Sequence, residues 1–317
     1  MVIQLPATRA HAAEAQALPP TEYGQPNLQG VWFYGSGTPF SRPTNLGEKK
    51  VYSEAEAMSV RQSLVDADNA KLANQDPNRA APVAGAPISQ DADHEFASSR
   101  IDLVKIDGEY RTSQIVSPEN GRWPYRAGAL DFFERFQSEG HGAFDGPEIR
   151  PVSERCVGPN GGPAAPMIGW FYNANMQIIQ TEDYFIILAE MNHDVRIIPL
   201  NREQASKPFP QWMGNSHGHW DGDTLVVETT SFRPEQSWFA FRMSDQLATT
   251  ERFRMSSENE IYYSLTLTDP EMLTEPVVVE KNIARRPPGE NIYEYACHEG
   301  NYSMPSILAG ARRQESE

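Results

Sequence analysis

Between residues 170 and 283 the chain is a succession of short segments with β character, and few folds accept such a succession. The segments are Met176–Gln180, Tyr184–Met191, Val195–Leu200, His217–Trp220, Thr224–Phe232, Glu251–Met255, Ile261–Thr268 and Val277–Ile283. They are rich in β-branched and aromatic residues, which suit a pleated, half-buried surface. Short connections within each pair favour antiparallel neighbours. Eight strands in up-and-down order close a barrel just wide enough for one small ligand. The expected fold class is therefore mainly β, an antiparallel barrel of about eight strands.

The N-terminal half reads differently. Residues 1–27 read as a flexible arm, and Gly30 to Tyr34 as a short aromatic strand. Residues 53–73 read as a helix with Ser53 as N-cap. Residues 76–93 form a Pro-, Ala-, Asp- and Gly-rich loop. Asp107-Gly108, between Ile101–Ile106 and Glu109–Val116, is a hairpin signal. Ala127 to Ser138 reads as an amphipathic helix, and Ser303 to Arg312 as a terminal one. Residues 139–169 form a long irregular segment around Cys156, of the kind that serves as a functional loop or lid. The expectation is one barrel domain over residues 28–317, embellished by helices and loops at about 40–170.

Charge narrows the function. A net charge of −16 over 317 residues argues against nucleic acid and anionic membrane surfaces as partners. A soluble protein that meets a small-molecule substrate or ligand fits better. No run of 18 apolar residues is present, so no membrane span is expected. The sequence has no Walker A motif and no Gly-x-Gly-x-x-Gly after a strand. It also lacks a Gly-x-Ser-x-Gly elbow and a His-Glu-x-x-His helix. No cofactor is expected on this basis. Residues 10–20, Ala-His-Ala-Ala-Glu-Ala-Gln-Ala-Leu-Pro-Pro, resemble the small-residue stretch that follows a cleaved export signal.

Residues 214–232 concentrate titratable chemistry more tightly than any other stretch. Asp221-Gly222 is a preferred hairpin dipeptide. With that pair as the turn, His219 faces Thr224 and His217 faces Val226. His217, His219, Val226 and Glu228 then share one face, because side chains alternate along a strand. Imidazole suits general acid/base work, and a nearby carboxylate fixes its tautomer. Read plainly, the same face is a polar, solvent-facing strand. A third reading is a metal site, with His193, His298 or His141 joining the His-x-His pair.

Other constellations carry similar pairs of readings. Glu190 and Arg196 lie among apolar neighbours, as an internal ion pair or as a cavity carboxylate and its partner. His193 and Asp194 fall in a turn at the rim. Tyr293, Tyr295, His298 and Glu299 form either a clasp over one barrel end or a site in which Tyr295 presents its phenol. Trp170, Tyr172, Asn173 and Asn175 alternate aromatics with amides and could line a substrate pocket. Trp238 and Phe239 form a second aromatic cluster that could cover it. Cys156 and Cys297 are two thiols in a reducing compartment or one disulfide in an oxidising one.

Gly30-x-Trp32 ahead of the strand run resembles the entry signature of lipocalins, and the whole resembles a calycin. Longer strings carry a second resemblance. They are Asp145-Gly-Pro-Glu148 with Glu154-Arg-Cys156, Tyr172-Asn-Ala-Asn-Met-Gln-Ile178, and Glu190-Met-Asn-His-Asp-Val-Arg196. Trp220-Asp-Gly-Asp-Thr-Leu-Val-Val-Glu228 and Tyr293-Glu-Tyr-Ala-Cys-His-Glu-Gly-Asn-Tyr302 complete them. Together they are similar to a large family of exported bacterial proteins, mostly uncharacterised. The resemblance spans roughly residues 28–313. It implies a periplasmic or secreted protein and a Cys156–Cys297 bridge, and it names no reaction. This chain has His217 where that family usually carries Arg, which reads as specialised chemistry or as drift.

The leading expectation is a cofactor-independent acid/base enzyme, a lyase, isomerase or cyclase, acting on a small apolar or aromatic substrate. His217 or His219 would move the proton, Glu228 would orient, and Tyr295, Tyr172 or Arg196 would stabilise an oxyanion. The alternatives are a lipocalin-like carrier and a metal-dependent hydrolase or lyase.

Overall fold

The computed structural model of the protein describes residues 19–71, 78, 80, 102–157, 164–168, 173–201, 209–236 and 241–317. In chain order the first strands are β1 (Gly30–Phe33), β2 (Val51–Tyr52), β3 (Lys105–Ile106), β4 (Glu109–Arg111) and β5 (Ile115–Ser117). The next are β6 (Asn175–Gln180), β7 (Tyr184–Ala189), β8 (Val195–Pro199), β9 (Asn215–Asp221) and β10 (Thr224–Thr230). The last are β11 (Ala248–Ser257), β12 (Glu260–Thr268) and β13 (Val277–Arg285). The α-helices are α1 (Glu54–Ala70), α2 (Phe132–Ser138) and α3 (Ser303–Glu315).

Nine strands form the staves of a nearly closed barrel in the order β8-β7-β6-β1-β13-β12-β11-β10-β9, each antiparallel to its neighbour. Eight antiparallel steps leave β8 and β9 running the same way. The seam between them is accordingly parallel, and it is thin. Leu200 bridges Gly218 in parallel, and the Asn201 N–H donates to the Gly218 carbonyl at 2.8 Å. Eight staves in chain order would have had no such junction. The additional stave is β1, which enters between β6 and β13 and joins two meanders. β5 pairs outside this path with β13, and β2-β4-β3 form a separate small sheet.

Local chemistry explains the turns. Asp107 and Gly108 both take positive φ, 52° and 82°, as a two-residue I′ loop requires, and Ile106 pairs with Glu109. The second hairpin differs from its sequence reading. Its loop residues are Gly222 and Asp223, and Asp221 pairs with Thr224. Gly222 has φ 63° while Asp223 is not left-handed, the pattern of a II′ loop with glycine first. Gly30 has positive φ too, 138°, and a Cβ there would also meet Arg285 Nη1, whose guanidinium lies over the Trp32 ring at 4.0 Å. The Gly-x-Trp pattern thus makes room for an arginine from the last stave.

Both early helices begin where their caps dictate. Ser53 and Glu56 form a capping box at α1, and Asp131 with Glu134 does so at α2. Asp131 therefore starts α2 five residues later than the amphipathic pattern suggested.

The barrel interior is filled by alternate side chains of every stave. β13 buries Val277, Val279, Lys281 and Ile283, and β12 buries Ile261, Tyr263, Leu265 and Leu267. Trp32, Phe33, Tyr34, Phe185, Phe232, Phe241 and Phe253 add to the aromatic part of the core. Across the seam runs a polar layer. Arg196 of β8 makes a bidentate pair with Glu251 of β11, Nη1 to Oε1 at 3.0 Å and Nη2 to Oε2. Arg196 also donates to Ser216 of β9 at 3.1 Å and to Thr229 of β10 at 2.7 Å. Tyr263 of β12 donates to Glu251 at 3.0 Å. Five consecutive staves are tied by one charge pair whose hydrogen-bonding capacity is largely used.

Breaking one side of such a pair leaves an uncompensated buried charge, at a cost of about 3–5 kcal/mol. Arg196→Met is expected to lower unfolding stability by that amount in urea titrations. Arg196→Met combined with Glu251→Leu is expected to recover most of the loss. A double variant as unstable as the single one would show that the charge pair is not what holds the seam.

Candidate functional site

His217, His219 and Glu228 share a face, as the alternation requires, and it is the outer face of the barrel. Their strand neighbours Ser216, Gly218, Leu225, Val227 and Thr229 take the inward positions. The II′ loop shifts the register by two residues, so His217 lies opposite Glu228 and His219 opposite Val226. His217 Nε2 stands 3.1 Å from Glu228 Oε2, with the two side chains 24% and 49% exposed. The two face each other directly across the strands. His217 Nδ1 is buried without a hydrogen-bond partner among the described residues, and His219 is exposed. Among the described residues no three His, Cys, Asp or Glu side chains gather as metal ligands, so neither His193, His298 nor His141 joins this pair.

Among the described residues Arg196 is the one proposed catalytic residue inside the barrel, and its partner is Glu251, not Glu190. Glu190 caps the end of β7 instead. Its Oε1 accepts from Asn175 Nδ2 at 3.0 Å and its Oε2 from the Tyr293 backbone N–H at 2.9 Å. Tyr295 contributes its backbone, which donates to His193 Nε2 at 2.9 Å. Cys156 and Cys297 are bonded, with Cα atoms 5.6 Å apart. Residues 293–297 are thus a clasp, pinned to the β7–β8 rim at Glu190 and His193 and bolted to the Cys156 turn. Asp194 on that rim has its carboxyl pushed up to about 6 by burial, against the lowering influence of His193. Asn173 lies in a turn at φ 42° with its Oδ1 buried and unpartnered among the described residues. Trp170, Tyr172, Trp238 and Phe239 lie outside the described residues.

The interior holds the group that sequence reasoning passed over. Lys281 points into the core of the barrel and is fully buried. Its Nζ has no hydrogen-bond partner among the described residues and stands 3.5 Å from the centre of the Tyr34 ring. Burial pushes its amine down to about 7. Tyr263, its cross-strand partner, meets Tyr34 edge to face at 5.8 Å. Burial, and then the charge of Glu251, hold both phenols well above their ordinary range, so both are donors at neutral pH. Tyr34 donates to the Met167 carbonyl, which lies in the buried 164–168 segment downstream of Cys156.

A titratable amine, two phenols and a neutralised carboxylate therefore converge in the apolar core. Such an amine can accept or return a proton near neutral pH, and the phenols can donate to a developing oxyanion. The signal was present in the alternation. Lys281 shares parity with Val277, Val279 and Ile283, as Glu251 does with Phe253, and a charge on an apolar stripe is costly unless it has a task.

No protein-family model matches the chain, no curated protein is similar to it, and no solved structure matches it.

The depressed amine fixes a pH signature. In the unfolded chain lysine titrates near 10.4. The burial cost is therefore absent above that value, grows as pH falls to about 7, and is constant below. Lys281→Met is expected to stabilise the fold by on the order of 4–5 kcal/mol at pH 6 and by little at pH 10. Urea midpoints across that range check it. A pH-independent difference would mean that the amine stays charged in the folded protein.

Proposed function

We propose that the protein is a periplasmic or secreted acid/base enzyme that moves a proton on a small, largely apolar or aromatic substrate. The observation that carries this reading is Lys281, a fully buried amine without a hydrogen-bond partner among the described residues, set against Tyr34 and Tyr263. A methionine of similar length would fill the same space without the desolvation cost. In this reading Lys281 is the base that accepts a proton from a C–H next to a carbonyl or a double bond. Tyr34 turns from Met167 to donate to the charge that develops. Arg196 and Glu251 hold Tyr263 and contribute no net charge. The reaction class is elimination, isomerisation or cyclisation. Support for the compartment comes from the Cys156–Cys297 bond, which persists in oxidising surroundings.

A carrier is the second reading, and one observation favours it. Apart from the polar layer, the interior is packed with apolar and aromatic side chains such as Trp32, Phe185, Phe253 and Met176. A carrier needs these apolar contacts and not the amine.

The test is a screen of small enolisable ketones and terpenoid-like alkenes for solvent deuterium incorporation. Wild type is expected to exchange with an activity limb near pH 7. Lys281→Met should lower exchange by roughly 10²–10⁴-fold and His217→Ala should leave it unchanged. Loss of exchange in His217→Ala with retention in Lys281→Met would return the chemistry to the outer hairpin. Binding without exchange in any variant would leave the carrier.

A further inference from the structure

Two of the sequence strings singled out above remain unused by the barrel interior, the Glu154-Arg155-Cys156 turn and the Cys297-to-Tyr302 run. The disulfide brings them together, and between them lies a cavity of about 290 Å³. Its apolar walls are Pro147, Val157 and Met304, the last from the first turn of α3. Its polar groups come from Glu154, Arg155, His298 and Asn301. The cavity is at the lower end of small-molecule sites in size.

Its charge is set by which of these groups are already occupied. Glu154 is held by Arg150, whose Nε and Nη2 each donate at 2.8 Å, so its carboxylate is neutralised. Asn301 is committed on both sides. Its Nδ2 donates to the Glu154 carbonyl at 3.2 Å and approaches Cys156 Sγ at 3.4 Å, and its Oδ1 accepts from Ser303. Arg155 is different. Among the described residues its guanidinium forms no ion pair, and its one hydrogen bond runs to the Glu148 carbonyl at 3.4 Å. Its field reaches Glu235, which is itself paired with Arg233 at 2.8 Å. His298 is exposed, and its imidazole has no hydrogen-bond partner among the described residues.

The net character of the cavity is thus one uncommitted guanidinium and one imidazole beside three apolar walls. A guanidinium presents paired donors that match a carboxylate bidentately. We infer that this cavity is a binding site for a small organic carboxylate, with the carboxylate on Arg155 and His298 and the apolar body against Pro147, Val157 and Met304. The site lies on the clasp and stands apart from Lys281, so it holds whether or not the interior is catalytic.

The experiment uses the full, disulfide-bonded chain with benzoate, acetate and inorganic phosphate as probes in isothermal titration, with the His298 ring resonances followed by NMR. Benzoate is expected to saturate and to shift those resonances, and acetate to bind about tenfold or more weakly for lack of the apolar contacts. Arg155→Gln should weaken benzoate at least tenfold, as loss of a charge-assisted pair implies. Arg313→Gln, at an 83% exposed side chain of α3 paired with Glu317, should leave it unchanged. Near-ultraviolet circular dichroism checks that each variant is folded. Benzoate affinity equal in wild type and in folded Arg155→Gln would overturn the inference. So would phosphate binding without benzoate binding, or no saturable binding of any probe.

Discussion

Nine antiparallel staves cannot close on themselves without one junction in which neighbours run the same way, and the Arg196–Glu251 pair lies across that junction. Between β8 and β9 the backbone supplies one bridge at Leu200 and Gly218 and one further hydrogen bond from Asn201. Side chains supply the rest. Arg196 reaches from β8 over β9 and β10 to β11, and Glu251 passes the linkage on to Tyr263 of β12. A buried ion pair is weak evidence of stability in itself, since apolar replacements often do as well. Its value here is positional, because each bond from Arg196 crosses the seam to staves that the sheet leaves poorly joined to β8.

Much of the barrel was legible in the sequence. Period-two alternation located the later staves to within a few residues, since each must bury one face and wet the other. The shared face of His217, His219 and Glu228 followed from the same rule. What alternation cannot supply is long-range placement. Nothing local says that Gly30–Phe33 enters between β6 and β13, or that Arg196 meets Glu251 rather than Glu190. The register at Gly222 was misplaced for a local reason. Asp-Gly reads as a I′ loop, but glycine taken as the first loop residue makes a II′ loop, and the pairing slides by two. A slide of two preserves faces, so the side-chain sorting survived the error.

The candidate site was less legible. Paired histidines draw attention because imidazole as a chemical group suits acid/base work, yet position decides what a titratable group can do. On the outer face His217 and Glu228 form a cross-strand pair in contact with water, where such pairs contribute little. Inside, Lys281 meets no solvent, and burial rather than residue type brings its amine toward neutrality. Its signal was a single lysine on an apolar stripe. The clasp was one of two readings, and its contacts show how it is attached. The peptide N–H groups of Tyr293 and Tyr295 dock on side chains of the β7–β8 rim, and Cys297 completes the attachment.

The placement of β1 beside β13 sets a timetable for making the protein. Arg285 at the end of the last stave donates to the Gln29 carbonyl, a partner 256 residues earlier, and covers Trp32. During synthesis the first stave emerges long before the strand that will flank it, and β6, its other neighbour, is also far off. Until then the aromatic run at Val31–Tyr34 has no sheet to join, and its edges and side chains lie open to other chains. The β9–β13 meander, by contrast, assembles from adjacent hairpins as it appears. Closure of the barrel is a late, non-local step, and such steps are slow. A chain of this design depends on being kept apart from its neighbours until its two ends have met.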